Sequence, residues 1–467
     1  MNAVTASPQS VPPAGAVHLH GAWSGSETLC NRCGFCLPVC PTYRETGMES
    51  ASPRGRLDLM YAVARGELTT ADIAHTLDLC LGCRACETAC PAGIAFGRMY
   101  EAGRIDAAPS GAGDRWARRL SGNLLNSPRL LGLIAWNLAL YQRSGLQWAV
   151  RTSHILAVWP WLRRLEAALP PLPLPPLPFT GGWRRRARRW GLTAVAHDAA
   201  QPGANVDLFA GCVMDVVFGE THLATVQVLH AQGFATRLPE GQGCCGALQL
   251  HSGDRELARR LARVNIAAFD GGGPTAERGP APERGQAPGL GREPIVVNSA
   301  GCGALMKDYG ALLADDPPWA ERARAFAARV VDVSEFLART ELRPPPHEVR
   351  LRVAYDDPCH LVHAQRIREA PRKLLQAVPG LELVELPEAD WCCGSAGTYS
   401  LQQPAMAERV LQRKMAHIAA AGVDVVATGN PGCLLQLAAG AQRRGLAVRI
   451  VHPIELLARA YTGEDAG

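Results

Sequence analysis

The chain has 467 residues, 47% of them hydrophobic, enough for a sizeable core and, by length, about three domains. A formal net charge of +5 gives no basis for a nucleic-acid partner. Sixteen cysteines in a chain this long, with no basic start and apolar run between Met1 and Ser26, read as reduced metal ligands of a cytoplasmic protein. A disulfide framework belongs to short secreted chains.

In chain order, residues 1–20 are expected to be disordered, and 21–105 to form a helical domain carrying eight cysteines. The phrases "CNRCGFCLPVCP" and "CLGCRACETACP" both obey C-x2-C-x2-C-x3-C-P. Three cysteines at this spacing wrap one face of a cuboidal cluster, and the fourth reaches across to the neighbouring one. Cys30, Cys33, Cys36 and Cys90 are therefore expected to hold one [4Fe–4S] cluster, and Cys80, Cys83, Cys86 and Cys40 the other. Zinc motifs use separated C-x2-C pairs instead. Gly34 and Gly82 should relieve crowding at the clusters, while Pro41 and Pro91 should stop the local helix. Ser52 to Leu68 reads as an added helix between the motifs.

Residues 106–204 lack cysteine and read as a helical and proline-rich connector. Seven of the ten tryptophans lie there, with the run Pro170 to Pro178 and the basic stretch "WRRRARRW" from Trp183. Leu130 to Tyr141 is too short to span a bilayer and reads as a core or interfacial helix. Tryptophan with arginine suits a membrane surface or a partner subunit, but basic amphipathic stretches are weak signals alone, and helices packed on the chain with a solvated basic face are the preferred reading.

From residue 205 the pattern becomes strand–cysteine–helix, read as parallel α/β units. It occurs twice, over 205–340 and 341–462. Cys212, Cys244, Cys245 and Cys302 mark the first copy; Cys359, Cys392, Cys393 and Cys433 mark the second. Each copy has adjacent cysteines followed by glycine, which lets both thiols face one site at a turn. These eight are candidate metal ligands at the C-terminal ends of strands, the usual place for sites in open sheets. A further iron–sulfur cluster, a zinc site, a redox dithiol and a cofactor-free remnant all remain open. Asp356 and Asp357 should disfavour a bare thiolate at Cys359 unless metal is bound, and His360 reads as a hydrogen-bonded histidine at a helix start. "GQGCCG" from Gly241 fits G-x-G-x-x-G but follows "RLPE" rather than an apolar strand, so no dinucleotide site is read there. The expected fold class is thus α+β multi-domain: a 2[4Fe–4S] ferredoxin-like domain followed by a duplicated α/β cysteine-rich domain. No catalytic residue is expected in this chain.

The phrases "CGFCLPVCPTY", "SPRGR", "NSAGCGALMKDYG", "DPCHLVHAQ" and "CCGSAGTYSLQQP" resemble the iron–sulfur subunits of glycolate oxidase (glycolate dehydrogenase). The resemblance implies an oxidoreductase subunit, inactive alone. It implies partner FAD subunits that oxidise glycolate to glyoxylate, and a respiratory acceptor such as quinone. It also implies a cytoplasmic location, with peripheral contact on the inner face of the membrane as one option. Lactate or glycerol 3-phosphate complexes, or a thiol–disulfide reductase like the heterodisulfide reductases, are the alternatives. Leu305 and Gln436 stand where the latter family has a fifth cysteine, which argues against its unusual cluster.

Overall fold

A computed structural model describes residues 30–107, 128–153, 155–159, 162, 166, 182–194, 205–271 and 293–464. The expected disordered N-terminus, the proline run at 170–178 and the insertion from 272 to 292 lie outside these residues.

The N-terminal unit is helical. Helices Pro53–Ala64, Thr70–Asp78 and Phe96–Asp106 enclose a core of Leu57, Met60, Ile73, Leu77 and Met99. The phrase "SPRGR" starts the first of them. Ser52 caps it by accepting from the Gly55 N–H at 3.0 Å, and Pro53 takes the first-turn position where no donor is needed. Gly55 passes so close to the Glu49 carbonyl that an added Cβ would lie 2.1 Å from that oxygen. Thr69 and Asp72 form a reciprocal capping box on the second helix.

The remainder contains two parallel sheets. The first has β1 (Leu192–Ala194), β2 (Asn205–Phe209), β3 (Ala235–Leu238), β4 (Ile295–Val297) and β5 (Val330–Asp332), in the order β1-β3-β2-β4-β5. The second has β6 (Leu351–Tyr355), β7 (Leu381–Val384), β8 (Val425–Ala427) and β9 (Arg449–Val451), in the order β7-β6-β8-β9. Removing β1 leaves one topology twice, with strands whose short apolar runs are covered on both faces. The edge strand β1 comes from the stretch read as connector: "LTA" pairs with β3, an assignment that three residues cannot signal by pattern.

The halves exchange their closing helices. Pro453–Thr462, which ends the second half, packs on Gly219–Ala231 of the first. Val333–Ala338, which ends the first, packs on Glu369–Gln376 of the second. One core therefore runs through both halves, from Val206 and Leu208 to Leu374, Ile454 and Leu457. Such reciprocity is what a pseudo-two-fold requires.

Candidate functional site

In the ferredoxin unit both loops follow the same backbone track. Left-handed conformation falls at Arg32 (φ 54°) and Gly34 (φ 85°) in the first, and at Gly82 (φ 61°) and Arg84 (φ 62°) in the second. Each loop thus uses one glycine and one arginine in opposite order. Alternating handedness turns successive N–H groups inward, a concavity suited to anions. The Arg32 N–H meets Cys30 Sγ at 3.4 Å, and the Gly82 N–H meets Cys80 Sγ at 3.4 Å.

Chain folding brings the cysteines into two adjoining cavities. Cys30, Cys33, Cys36 and Cys90 line one, closed by Leu57, Ile94 and Phe96. Cys40, Cys80, Cys83 and Cys86 line the other, with Arg56 and Phe96. Cys86 also borders the first cavity. Among the described residues no three His, Cys, Asp or Glu side chains converge on one point suited to a single ion. Thiols spread around a cavity, with inward amides, fit a cuboidal cluster. Pro41 behaves otherwise than expected: it begins helix Pro41–Thr46, with Cys40 as its N-cap, because proline is preorganised for a first helical turn.

Arg56 strengthens the fit. Its side chain is 1% exposed, and no carboxylate pairs with it among the described residues. It donates to Thr76 O at 2.9 Å and to Thr42 Oγ1 at 3.1 Å, and that hydroxyl lies 3.3 Å from Cys40 Sγ. Burial pulls its pKa down, but the negative forms of Cys80 and Cys40 hold it above the ordinary guanidinium value. A buried cation costs several kcal/mol unless a nearby negative charge offsets it. Thiolates of Cys40 and Cys80 holding a cluster would supply that charge.

The other eight cysteines gather at the C-terminal ends of the strands, four per half. In the first half Cys212 and Cys244 sulfurs lie 3.6 Å apart, and those of Cys245 and Cys302 3.2 Å. In the second, Cys392 contacts Cys359, and Cys393 lies 3.0 Å from Cys433. The pairing rule is the same in both: the first cysteine of each doublet meets the central strand's cysteine, the second meets that of the next strand across. Gly246 and Gly394, both left-handed, return their N–H to Cys244 and Cys392 at 3.5 and 3.4 Å. None of the sixteen cysteines is joined in a disulfide.

Several expectations here are revised. Asp356 and Asp357 are not bare carboxylates, since each has its own cation: Lys414 lies 2.7 Å from Asp356, and Arg372 grips Asp357 at 2.8 and 2.9 Å. "GQGCCG" does follow a strand, β3, contrary to the reason given for dismissing it. The turn is filled by Gln242, which accepts from the Ala210 N–H and donates to Leu208 O. Only a five-residue helix follows, so the phrase still lacks the unit a dinucleotide needs. His360 is hydrogen-bonded, but to the ferredoxin loop: Nε2 lies 3.0 Å from Gly82 O.

That bond belongs to a wider joint. Tyr399 donates to Leu79 O at 2.9 Å, and Leu81 and Cys83 pack with Cys359, Cys392 and Trp391. Burial, and then the negative form of Cys359, push the Cys83 thiol well up. The second ferredoxin cavity thus abuts the second half's cysteines. The first half's Cys212 and Cys244 instead sit under Leu131 of the connector. Nearby, Arg84, Glu101, His251, Asp308 and His360 line a small cavity where all three units meet. Burial, then Asp308, push the Glu101 carboxyl up to about 7, and burial drives His251 down to about 3.

Residues 28–94 match the 4Fe-4S dicluster domain, 206–307 and 353–438 the cysteine-rich CCG domain, and 113–169 the linker region of the glycolate oxidase iron–sulfur subunit. The chain is 38% identical over 455 residues to the "Probable glycolate oxidase iron-sulfur subunit" of Bacillus subtilis, covering 92% of this chain and 93% of the relative. It belongs to the glycolate oxidase iron–sulfur subunit family. The Escherichia coli member is 30% identical, over 93% of this chain and 94% of its own length. Lactate utilization protein A of Shouchella clausii, also 30% identical, matches 98% of its length to 54% of this chain. Family membership makes the chain an iron–sulfur electron-transfer subunit of an oxidoreductase complex. Arg56, Arg84 and Tyr399 border these cavities and their joint, and sequence spacing did not mark them.

Proposed function

We propose that this chain relays electrons from a partner FAD subunit, which oxidises glycolate to glyoxylate, to a respiratory acceptor, in the simplest case quinone. Cys30, Cys33, Cys36 and Cys90 are the ligands of one [4Fe–4S] cluster, and Cys40, Cys80, Cys83 and Cys86 of the second. When bound, such clusters accept and release single electrons. The protein's own residues supply the thiolates, the inward amides at Arg32 and Gly82, and the buried Arg56 charge. The observation that carries the reading is the gathering of eight thiols around two adjoining cavities, with Cys86 at their boundary.

The surface of the ferredoxin unit supports a docking edge. Cys33 is exposed, and beside it Phe35 is 63% exposed, so the first cavity opens where a flavoprotein can approach. The second cavity faces inward, toward Cys359 and Cys392. That placement supports the second half's cysteines as the next station, whether they hold a cluster, zinc or a dithiol. The acceptor reading places the protein on the cytoplasmic face of the membrane, and no described helix is long and apolar enough to cross it. The lactate relative keeps an analogous lactate complex as the second reading.

The test is reconstitution. The visible iron–sulfur absorption should bleach when glycolate is added to the chain assembled with its flavoprotein, and stay unchanged when glycolate meets the chain alone. Bleaching by lactate but not glycolate would move the substrate. Turnover by the isolated chain would contradict the subunit reading.

A further inference from the structure

Helix Pro128–Arg143 is built inside out. It faces the first half through Gly132, Ala135, Ala139 and Leu131, and packs on helix Val213–Val217. Its large apolar side chains, Leu130, Leu133, Ile134 and Leu140, point to solvent instead. The exposed apolar surface continues through Leu146 and Trp148 on helix Leu146–Thr152, and through Ile155, Val158 and Trp159. Nine of the twelve large exposed hydrophobics among the described residues fall in this one stretch, so it is a patch and not scatter. Soluble helices bury the stripe that this one displays.

Charge selects the occupant. Residues 128–159 contain Arg129, Arg143 and Arg151, and no lysine, aspartate or glutamate. Segment Gly182–Trp190 adds exposed Arg185, Arg188 and Arg189. It is tied to the same helix Val213–Val217, since Trp183 and Arg184 donate to Asp215 at 3.1 and 2.8 Å. Glu166 holds Arg151 at 2.9 Å, yet arginine still outnumbers acid around these leucines and tryptophans. On helices too short to span, that balance matches the chemistry of an element lying in the plane of an anionic bilayer. A protein partner would need an acidic apolar groove of matching shape.

We infer that the connector hairpin, through Leu133, Leu140, Trp148, Val158 and Trp159 with its flanking arginines, seats the protein on an anionic lipid surface. The inference deepens the respiratory-acceptor reading proposed above: an acceptor dissolved in the bilayer requires the carrier to rest on it. Lipid adds to this surface without altering the fold, because the residues involved make few contacts with the core.

Flotation of the intact, iron-loaded chain with phosphatidylcholine vesicles, and with vesicles that also contain phosphatidylglycerol, tests this directly. Binding should favour the phosphatidylglycerol vesicles and weaken as salt is raised. The variant Leu133→Ser/Trp148→Ser/Trp159→Ser should lose at least about tenfold in vesicle partition, with its iron–sulfur absorption unchanged. Arg143→Glu/Arg188→Glu should lose only the preference for phosphatidylglycerol. Wild-type partition by the triple variant would overturn the inference. So would failure of the wild type to bind either vesicle, and if the triple variant then also failed to assemble with its flavoprotein, the face would pass to that partner. Turnover of the assembled complex with a soluble dye is measured in parallel. Its absence would defeat the electron-transfer reading while leaving the vesicle result standing.

Discussion

Replacing Arg56 by glutamine should lower the reduction potential of the cluster held by Cys40, Cys80, Cys83 and Cys86, and shift the other far less. The guanidinium reaches Thr42 Oγ1 at 3.1 Å, and that oxygen lies 3.3 Å from Cys40 Sγ, so the charge sits beside the second cavity. Taking ~8 Å to the cavity centre and an effective dielectric of ~20, one added electron gains about 2 kcal/mol from this cation. For a one-electron couple that corresponds to about 90 mV. Glutamine keeps a donor for Thr42 or the Thr76 carbonyl, so the local hydrogen bonds are only partly lost. Redox titration followed by electron paramagnetic resonance resolves the two clusters. A change under about 20 mV, or equal shifts of both, would refute the assignment of Arg56 as the compensating charge.

The crossed ligand sets predict that Cys90→Ser disturbs the cluster of Cys30, Cys33 and Cys36, whereas Cys40→Ser disturbs that of Cys80, Cys83 and Cys86; the resonance signals lost should be opposite in the two variants. Gly394→Ala should lower the apparent melting temperature more than Gly246→Ala. Both are left-handed, but the added Cβ would lie 2.5 Å from Ala407 O in the first and 3.2 Å from Ala258 Cα in the second. Glu101, raised to about 7 by burial and Asp308, binds its proton more tightly folded than unfolded. Arg84 and Arg98 oppose that rise, and Glu87 adds to it. Its contribution to stability is complete below the ordinary glutamate pKa and lost as pH rises through about 7. The melting temperature of Glu101→Gln should therefore fall less than that of the wild type between about pH 5 and 8, and parallel curves would contradict the assignment.

Much of the architecture was legible because its signals are local. Runs such as "VDLF" and "PIVV" are continuous and apolar since parallel strands are covered on both faces, and they predicted β2 and β4 where they occur. The cysteine spacing pointed to the eight residues that line the two adjoining cavities, since a cluster's geometry is written into three-residue steps. What stayed hidden depends on partners distant in sequence. Nothing in "SPRGR" shows that Arg56 is buried without a carboxylate, and nothing in "IVHPIELLAR" shows that its helix crosses to the other half. Left-handed backbone at Arg32 and Arg84 was missed because arginine does not advertise it as glycine does. Composition makes Leu130 to Tyr141 a core or interfacial helix, but only burial reveals that the large side chains of helix Pro128–Arg143 face outward. The cations paired with Asp356 and Asp357 stayed hidden for the same reason, since Lys414 and Arg372 approach from other helices.

Iron and acid-labile sulfide content of the anaerobically purified chain tests the central claim most directly. Two adjoining cavities lined by eight cysteines predict about eight irons and eight sulfides, with more only if the CCG halves also bind clusters. Zinc without acid-labile sulfide would contradict the account.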